Sequence, residues 1–378
     1  MQFLSNCHRA VIKAKSPLQT FLSFNISHHF STSIIKSHKK GFPNYFIRTI
    51  SKSTAYKMTS ADKSMSQKRL KVIIDADTGI DDSHAILMAL AHPNIDVLAI
   101  TCVNGNVNAD LVCENTLRVL KACNREDVPI FKGAEASLMG YTSEFENFSG
   151  EVWNTPVDTS NMSSEHAANA LVRIINMFPD EVTVVALAPL TNLALAARLD
   201  STLHHKIKEL FIMGGNIEAR GRINLPGGGG TSSCAEFNFF NDPEAAKVVL
   251  KEFENITVLP YEPCCNCLLT WDFYDLWTNG KTKVSEFVKR STSDSIKARA
   301  SGRQGYKSCD GYAMASVIDR SVVKSSQSVY ATVELHGQLT RGQMIVDWYN
   351  VMKKPSNVTV VKELDMKKIE DLFMLMVR

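Results

Sequence analysis

From Leu70 onward, short apolar runs alternate with amphipathic segments, and this alternation limits the folds that the chain can adopt. The apolar runs have the length of buried strands and span residues 70–74, 97–103, 182–187, 209–213 and 256–259. Apolar residues recur at helical spacing in residues 81–91, 109–123, 165–177, 190–198 and 243–251. Strands that are apolar throughout and alternate with helices are typical of a parallel sheet covered on both faces. We therefore predict a single α/β domain over residues 67–378, with an open, mostly parallel sheet, mixed pairing at its edge and flanking helices.

The first 61 residues differ from the rest of the chain because they contain nine Lys or Arg residues but no Asp or Glu. They are also rich in Ser and lack hydrophobic periodicity. This composition is typical of a mitochondrial transit peptide, with a disordered tail as the alternative. We predict that residues 1–66 form an N-terminal extension that directs the protein to mitochondria. Translation from Met58 or Met65 would instead leave the protein in the cytoplasm.

The composition of the remaining residues excludes several classes of partner. Of the 42 Lys and Arg residues, 33 lie in residues 62–378 together with all 39 Asp and Glu residues, so this part has a net charge of −6. A nucleic-acid-binding protein would present a basic stripe, so we expect a small-molecule partner. No run of 18 apolar residues exists to span a membrane. Nine cysteines without paired spacing indicate reduced thiols rather than a disulfide framework.

Four carboxylates follow the first predicted strand within eight residues, in the sequence Asp75-Ala-Asp77-Thr-Gly79-Ile-Asp81-Asp82. Asp75 and Asp77 face the same side of an extended backbone, and Gly79 permits a turn that returns the other two carboxylates to that side. Helix capping would explain one or two of the four, at ~0.5–2 kcal/mol each. Four such charges repel one another unless a cation holds them, and carboxylate oxygens favour Ca²⁺ or Mg²⁺ over Zn²⁺. The cluster therefore predicts a metal site or a catalytic centre.

The same stretch allows a different enzyme class. An Asp-x-Asp-x-Thr sequence after a strand resembles the nucleophile loop of haloacid-dehalogenase-type phosphatases. In that alternative, Asp75 would be a covalent nucleophile. The carboxylate cluster alone does not distinguish the two classes.

Four later segments distinguish the two classes. They are residues 188–192 (Ala-Pro-Leu-Thr-Asn), 213–216 (Met-Gly-Gly-Asn), 235–238 (Ala-Glu-Phe-Asn) and 242–246 (Asp-Pro-Glu-Ala-Ala). Together with the carboxylate cluster, they resemble the inosine–uridine-preferring nucleoside hydrolase family, in the family's order from about Lys71 to the C-terminus. The resemblance implies a mainly parallel α/β fold and hydrolysis of the N-glycosidic bond of ribonucleosides to ribose and free base. It also implies a homodimer or homotetramer.

The resemblance further implies the residues of an active site. A bound Ca²⁺ would have as its ligands Asp77, Asp82, Asp310 and the main-chain carbonyl of Leu187. Asp77 would also be the general base that takes a proton from the attacking water. Contacts with the nucleoside would come from Asp81, Asn106, Met213, Glu236, Asn238 and Asp310. Carboxylates and amides suit this reaction, because ribose offers three hydroxyls and the transition state carries positive charge.

Several of these polar residues also have ordinary structural interpretations. Asn106 could be a turn residue, and Asn192 could cap a helix. Glu236 and Asn238 are two residues apart and could be solvent-facing positions of a strand. Asp242 precedes a proline and is expected to start a helix, without a catalytic role.

Departures from the family pattern concern mainly the departing base. Many members have His before the last metal-binding Asp, where it protonates a purine; here Cys309 is the candidate, with an inert buried thiol as the alternative. Gly230 stands where the family has a sugar-binding Asn, a contact that is lost unless Asn224 supplies it. Residues 145–150 replace an expected His-Gly pair, and Tyr306 is either a stacking or acid group or a core residue. These departures motivate a further alternative, a relative that binds a ribosyl ligand without cleaving it.

Overall fold

The structure is a computed structural model that describes residues 68–142, 148, 151–160, 162–221, 232–293 and 299–378. The predicted N-terminal extension lies outside the described residues. Asn224, Gly230 and, apart from Phe148, the segment 145–150 also lie outside them.

The described residues contain strands and helices in alternation over most of the chain. The strands are β1 Leu70–Ala76, β2 Ile95–Cys102, β3 Ile130–Lys132, β4 Val182–Ala186, β5 Glu209–Met213, β6 Ile256–Leu259, β7 Val323–Val333, β8 Met344–Asp347 and β9 Val358–Leu364. The helices are α1 Ile80–Ala91, α2 Ala109–Ala122, α3 Ala167–Met177, α4 Thr191–Leu199, α5 Phe237–Asn241, α6 Pro243–Glu252, α7 Tyr261–Asn266, α8 Trp271–Thr278, α9 Lys283–Ser291, α10 Cys309–Ile318 and α11 Met366–Met376.

The strands form one sheet in the order β3-β2-β1-β4-β5-β6-β9-β7-β8. Pairing is parallel from β3 to β9 in this order. β7 is antiparallel to β9, and β8 is antiparallel to β7. The predicted mostly parallel sheet with mixed pairing at its edge is therefore confirmed. The strand order reverses between β1 and β4, and α/β sheets bind ligands at the carboxyl ends of their strands at such a reversal.

The sheet lies between two layers of helices, which explains why its central strands are apolar throughout. Along β1, Val72 and Ile74 pack into one hydrophobic core and Ile73 into the other. Helices α1, α10 and α11 contribute buried side chains to the first core, and helices α3, α4 and α6 contribute to the second. The alternation of side chains along each strand thus feeds both cores.

Local sequence accounts for where the predicted helices begin and which face they bury. In α3, Leu171, Ile174 and Ile175 are buried at helical spacing, whereas Arg173 is exposed. In α6, Asp242 is the capping residue, as predicted, and its side chain accepts a hydrogen bond of 3.0 Å from the backbone N–H of residue 245. A proline occupies the first turn of α6, where its missing N–H costs nothing.

The strand β7 is an element that the search for apolar runs missed. Its sequence, Val-Lys-Ser-Ser-Gln-Ser-Val-Tyr-Ala-Thr-Val, is polar and largely exposed in the first half. Only from Val329 onward do alternate side chains become buried. A strand near the edge of a sheet needs an apolar face only where a helix covers it, so its pattern differs from that of a central strand.

Two expectations from composition can be compared with the described residues. The eight cysteines among them are all free, as predicted from their spacing. None of the described helices has the length and apolar character needed to cross a membrane.

Candidate active site

A cavity lies at the carboxyl ends of the central strands, where the strand order reverses. Its lining residues are Asp77, Asp81, Asn106, Leu187, Met213, Glu236, Phe237, Asn238, Tyr261, Cys309 and Asp310. Nine of the ten site residues that the sequence predicted are in this lining. The tenth, Asp82, is buried and forms hydrogen bonds with the segment that contains Asp77. The predicted residues, which span more than 230 positions of the chain, therefore converge on one cavity.

The loop between β1 and α1 fixes the position of Asp82. Its carboxylate accepts hydrogen bonds from the backbone N–H of Gly79 at 3.0 Å and from that of Asp77 at 3.3 Å. Asp82 lies in the first turn of α1, where a negative charge also interacts favourably with the helix dipole. The capping interpretation is thus correct for this one carboxylate, and it leaves the other three unexplained.

The loop after β2 packs directly on Asp77. The backbone N–H of Asn106 donates a hydrogen bond of 2.7 Å to Asp77 Oδ2, and the Asn106 side-chain amide lies 3.4 Å from Asp82 Oδ2. A Cβ atom at Gly105 would lie 2.1 Å from Asp77 Oδ2, so only glycine permits this approach. Asn106 is therefore more than a turn residue, because its backbone orients the Asp77 carboxylate.

Three carboxylates form a tight group beside the cavity. One oxygen each from Asp81, Asp82 and Asp310 lies within 4.8 Å of the other two, which is close enough for a shared metal ion. Asp310 is in the first turn of α10, and the backbone N–H of Cys309 donates a 3.2 Å hydrogen bond to Asp81 Oδ2. The sequence predicted Asp81 as a nucleoside contact, and the structure places it in the group of carboxylates that could hold a metal ion. Asp77 adjoins this group without being one of the three.

Burial and repulsion between carboxylates raise the pKa values of Asp77, Asp82 and Asp310. Burial, with the Asp81 charge, raises the pKa of Asp82 to about 7. The pKa values of Asp77 and Asp310 lie well above the usual range, because both groups are buried and face neighbouring carboxylates. Among the ion pairs of the described residues, none involves these four acids. A buried acidic group of oxygen donors with no basic side chain paired to it is suited to a hard metal cation.

Asn238 joins the ends of β4 and β5 at the floor of the cavity. Its side-chain amide donates hydrogen bonds to the carbonyl of Leu187 at 2.8 Å and to that of Met213 at 3.0 Å. A carbonyl oxygen has two lone pairs, so the Leu187 carbonyl retains one for a metal ion. The side-chain oxygen of Asn238 is the part of this amide that remains for a ligand.

Glu236 begins the short helix α5. Its carboxylate accepts hydrogen bonds of 2.9 Å from the backbone N–H of Asn238, 3.1 Å from that of Phe239 and 2.9 Å from that of Gly215. Glu236 and Asn238 are both buried, so the interpretation as solvent-facing strand positions is wrong. The apolar neighbours Ala235 and Phe237 are consistent with a strand and with the start of a helix. Only the tertiary fold distinguishes these two structures.

A buried network beneath the cavity includes residues that the sequence analysis assigned differently. Asp75 is fully buried, and its Oδ1 accepts hydrogen bonds from Thr101 at 2.6 Å and Asn192 at 2.9 Å. Burial raises its pKa to about 6, and the two hydrogen bonds oppose this rise. Asp75 does not line the cavity, so it is not placed to act as the covalent nucleophile of a phosphatase.

Helix capping was the structural alternative for Asn192, and this alternative is wrong because residue 190 caps α4. The Asn192 amide nitrogen also donates to the carbonyl of Cys102 at 3.0 Å, and its oxygen accepts from the backbone N–H of Ala134 at 2.9 Å. Together with Asp75, Asn192 therefore ties the ends of β1, β2 and β3 to α4. The sequence signal for this role of Asn192 was its position in the Ala-Pro-Leu-Thr-Asn segment, which follows a strand.

The lining of the cavity also includes Tyr261 and Phe237, which the sequence did not predict. Tyr261 directly follows Pro260 at the end of β6, so an inspection of polar residues after every strand would have found it. Tyr306 is buried against aromatic rings of the core, including Trp277 with ring centres 5.9 Å apart, and does not line the cavity. Tyr306 is therefore a core residue rather than a stacking or acid group.

Proteins that are similar to this chain in sequence and in fold include several nucleoside hydrolases. The family model for inosine-uridine preferring nucleoside hydrolases matches residues 72–371. An inosine-uridine preferring nucleoside hydrolase of Leishmania major is 31% identical over 79% of this chain and 94% of its own. A pyrimidine-specific ribonucleoside hydrolase of a Shewanella species is 29% identical over 80% of this chain and 94% of its own. The solved structure of an inosine-guanosine nucleoside hydrolase superposes with a TM-score of 0.73 at 32% identity, covering 81% of this chain and 98% of that one.

The fold and the acidic cavity thus define an enzyme that hydrolyses N-glycosyl bonds of nucleosides. The chain belongs to the inosine-uridine preferring nucleoside hydrolase family.

Proposed function

We propose that this enzyme is a Ca²⁺-dependent ribonucleoside N-ribohydrolase that releases ribose and a free base in nucleoside salvage or catabolism. The observation that carries the proposal is the cavity in which Asp77, Asp81 and Asp310 face Asn106 and Asn238. Carboxylates and amides of this kind can hold a cation and the hydroxyls of one ribose.

The donor set supports Ca²⁺ as the metal. The ligands would be the carboxylates of Asp77, Asp82 and Asp310 and the carbonyl of Leu187, with Asp81 close enough to take part. All of these donors are oxygens, and Ca²⁺ takes six to eight oxygen ligands in flexible geometry. A Zn²⁺ site would instead contain His or Cys ligands.

Asp77 is the residue best placed to act as the general base. When bound, the cation would hold the attacking water and lower its pKa. The Asp77 carboxylate would accept the proton of this water, and the backbone N–H of Asn106 would hold its Oδ2 in place during the transfer.

The remaining polar residues would bind the sugar and stabilise its positive charge. Glu236 and Asn238 are anchored by backbone hydrogen bonds and contribute to the same lining as Asn106. Met213 adds an apolar surface to this wall. Preorganised negative groups around the anomeric carbon would stabilise an oxocarbenium-like transition state without rearrangement.

The proposal is tested by ribose release from the purified full-length chain with inosine, guanosine, uridine and cytidine. We expect ribose to appear, and we expect both a Ca²⁺ chelator and Asp77→Asn to lower the rate by roughly 10²–10⁴-fold, the usual contribution of a general base. Readdition of Ca²⁺ should restore the chelated enzyme and leave Asp77→Asn inactive. Binding of a nucleoside without ribose release would instead support the alternative of a ribosyl-binding relative.

We also propose that the protein is a homo-oligomer in mitochondria, on the basis of the family resemblance and the composition of residues 1–66. Light scattering of the purified protein tests the first part. The second part is tested by the localisation of a fluorescent protein fused to residues 1–66. A fusion to residues 65–378, which lacks most of the extension, is the comparison.

A further inference from the structure

A lysine holds the hydroxyl of the cavity tyrosine. Lys307 Nζ donates a hydrogen bond of 2.9 Å to Tyr261 OH and lies 4.1 Å from the centre of the Tyr261 ring. It also lies 3.5 Å from the sulfur of Cys265. Of the described residues, no carboxylate forms an ion pair with Lys307. The positive charge of Lys307 is therefore directed at the tyrosine that lines the cavity.

The backbone holds these two residues in a fixed relation. Leu269, just beyond α7, exchanges backbone hydrogen bonds of 2.9 and 2.8 Å with Tyr306, which precedes Lys307. The backbone N–H of Tyr261 donates to the carbonyl of Gly215 at 3.0 Å, which ties α7 to the end of β5. The segment that bears Lys307 and the helix that bears Tyr261 thus form one wall of the cavity.

We infer that Tyr261 is the acid that protonates the departing nucleobase and that Lys307 is the residue that positions and supports it. This inference rests on the proposed function, in which water attacks the anomeric carbon. The C1′–N bond breaks as the new C1′–O bond forms, and its electron pair goes to the base. The Tyr261 O–H proton passes to a nitrogen or carbonyl oxygen of the base, while Asp77 takes the proton of the water. Solvent then returns a proton to the Tyr261 phenolate.

The charges around Tyr261 suit this step. Burial raises the pKa of Tyr261 even though Lys307 opposes the rise, so the phenol carries its proton at neutral pH. As the proton leaves, the ammonium of Lys307 stabilises the phenolate at hydrogen-bond distance. Cys309 lines the cavity too, but its thiol interacts with that of Cys264, a buried group.

Two substrates with different leaving groups test the inference. Uridine, inosine and other nucleosides have poor leaving groups that need a proton, whereas p-nitrophenyl β-D-ribofuranoside has a leaving group that departs as a stable anion. We expect Tyr261→Phe to lower kcat/KM for nucleosides by roughly 10²–10⁴-fold and to leave that for the nitrophenyl riboside within about threefold. Lys307→Met should give the same pattern with a smaller loss, and Lys307→Arg should restore part of it.

A second lysine–tyrosine pair provides a matched control. Lys354 Nζ donates a 3.0 Å hydrogen bond to Tyr330 OH and lies 4.8 Å from its ring centre, but this pair is outside the cavity. Tyr330→Phe should leave both substrates unaffected. Cleavage of the nitrophenyl riboside by Tyr261→Phe also reports that the variant is folded.

Several results would overturn the assignment. An equal loss on both substrates would mean that Tyr261 supports the fold or binds ribose, and no loss on nucleosides would mean that it has no role in the chemistry. A selective loss in Cys309→Ala combined with full activity of Tyr261→Phe would assign the proton to the thiol. A wild-type enzyme that cleaves neither substrate would reject the hydrolase activity itself and this inference with it.

Discussion

Two groups of side chains at the cavity differ in their chemistry. The first, here called the acidic or sugar end, consists of Asp77, Asp81, Asp82 and Asp310 and supplies only carboxylate oxygens. The second, here called the base end, consists of Tyr261 with the Lys307 ammonium and the Cys265 thiol, which supply protons and positive charge. The first set suits a cation and a sugar, and the second suits a base that departs with an electron pair. On the proposed function, the first group would bind the cation and the sugar as the family resemblance implies, and the second would act on the leaving group.

The two ends also differ in how the chain assembles them. Three of the four acids at the sugar end follow one strand within six residues, and a single distant helix supplies the fourth. At the base end, Tyr261 and Lys307 are 46 positions apart and meet through the backbone bridge at Leu269. The sugar end is therefore set by a local motif, and the base end by tertiary contacts.

The largest expected effect distinguishes the two ends by whether the loss of activity depends on the leaving group of the substrate. Asp310→Asn removes one charge from the acidic group without changing the size of the side chain. We expect kcat/KM to fall by about 10³-fold for nucleosides and for the nitrophenyl riboside alike, since both pass through the same charged sugar. Steady-state kinetics with both substrates measures the effect.

Asp319→Asn, which changes the residue after the last turn of the same helix, is the matched control and should retain activity. A loss confined to nucleosides in Asp310→Asn would contradict the division of the cavity. It would show that the acidic end also acts on the departing base.

A smaller effect concerns the stability of the acidic end and its dependence on pH. In the folded protein without metal, burial raises the pKa of Asp82 from 3.8 to about 7. Protonation of Asp82 therefore stabilises the folded protein. This stabilisation is complete below the pKa of the unfolded chain and is lost as the pH rises through about 7. Ca²⁺ binds the ionised carboxylates, so it should stabilise the protein more at pH 8 than at pH 5.5.

Thermal unfolding with Ca²⁺ or a chelator at both pH values tests this expectation. With Ca²⁺ at one hundred times its Kd, the gain at pH 8 should be about 2.7 kcal/mol of unfolding free energy. Asp82→Asn should reduce the difference between the two pH values, and the raised pKa values of Asp77 and Asp310 should account for what is left. Equal stabilisation at pH 5.5 and pH 8 would show that protons do not compete with the cation at this site.

The sequence pattern predicted the sheet and the carboxylates after its first strand for a physical reason, whereas the family resemblance supplied Asp310, Glu236 and Asn238. Central strands of a parallel sheet are apolar runs, and the polar residues directly after them meet at one edge, as Asp77 and Asp81 do. The exposed first half of β7 lacks this pattern, so β7 was missed. The alternatives of a helix cap for Asn192 and a solvent-facing strand position for Glu236 were wrong, because each depends on which backbone groups lie nearby, and these groups come from distant strands.

The side chains that face the departing base were harder to predict from the sequence. Tyr261 satisfied the rule of inspecting polar residues after strands, but an aromatic side chain at such a position is usually part of the core. Lys307 precedes Asp310 by three residues and has no distinguishing neighbour in the sequence. Its significance depends on the 2.9 Å contact with Tyr261, which the fold creates.

The smallest expected effect tests whether the buried network of Asp75, Thr101 and Asn192 stabilises the acidic end. Asn192→Ala removes hydrogen bonds to Asp75, to the carbonyl of Cys102 and from the backbone of Ala134, all of which are buried. Leaving such groups without a partner should cost about 2 kcal/mol of unfolding free energy. The loss would also raise the pKa of Asp75 further, because the Asn192 hydrogen bond lowers it.

Chemical denaturation measures the loss in Asn192→Ala, and the exposed Asn176→Ala on α3 serves as the control, with a change of at most about 0.5 kcal/mol. Because the network lies beneath the acidic end, any decrease in activity should be equal for nucleosides and the nitrophenyl riboside. A decrease for nucleosides alone would connect Asn192 to the leaving group, and the two ends of the cavity would then not be independent. A stability equal to that of the control would show that Thr101 and the backbone hold Asp75 without Asn192.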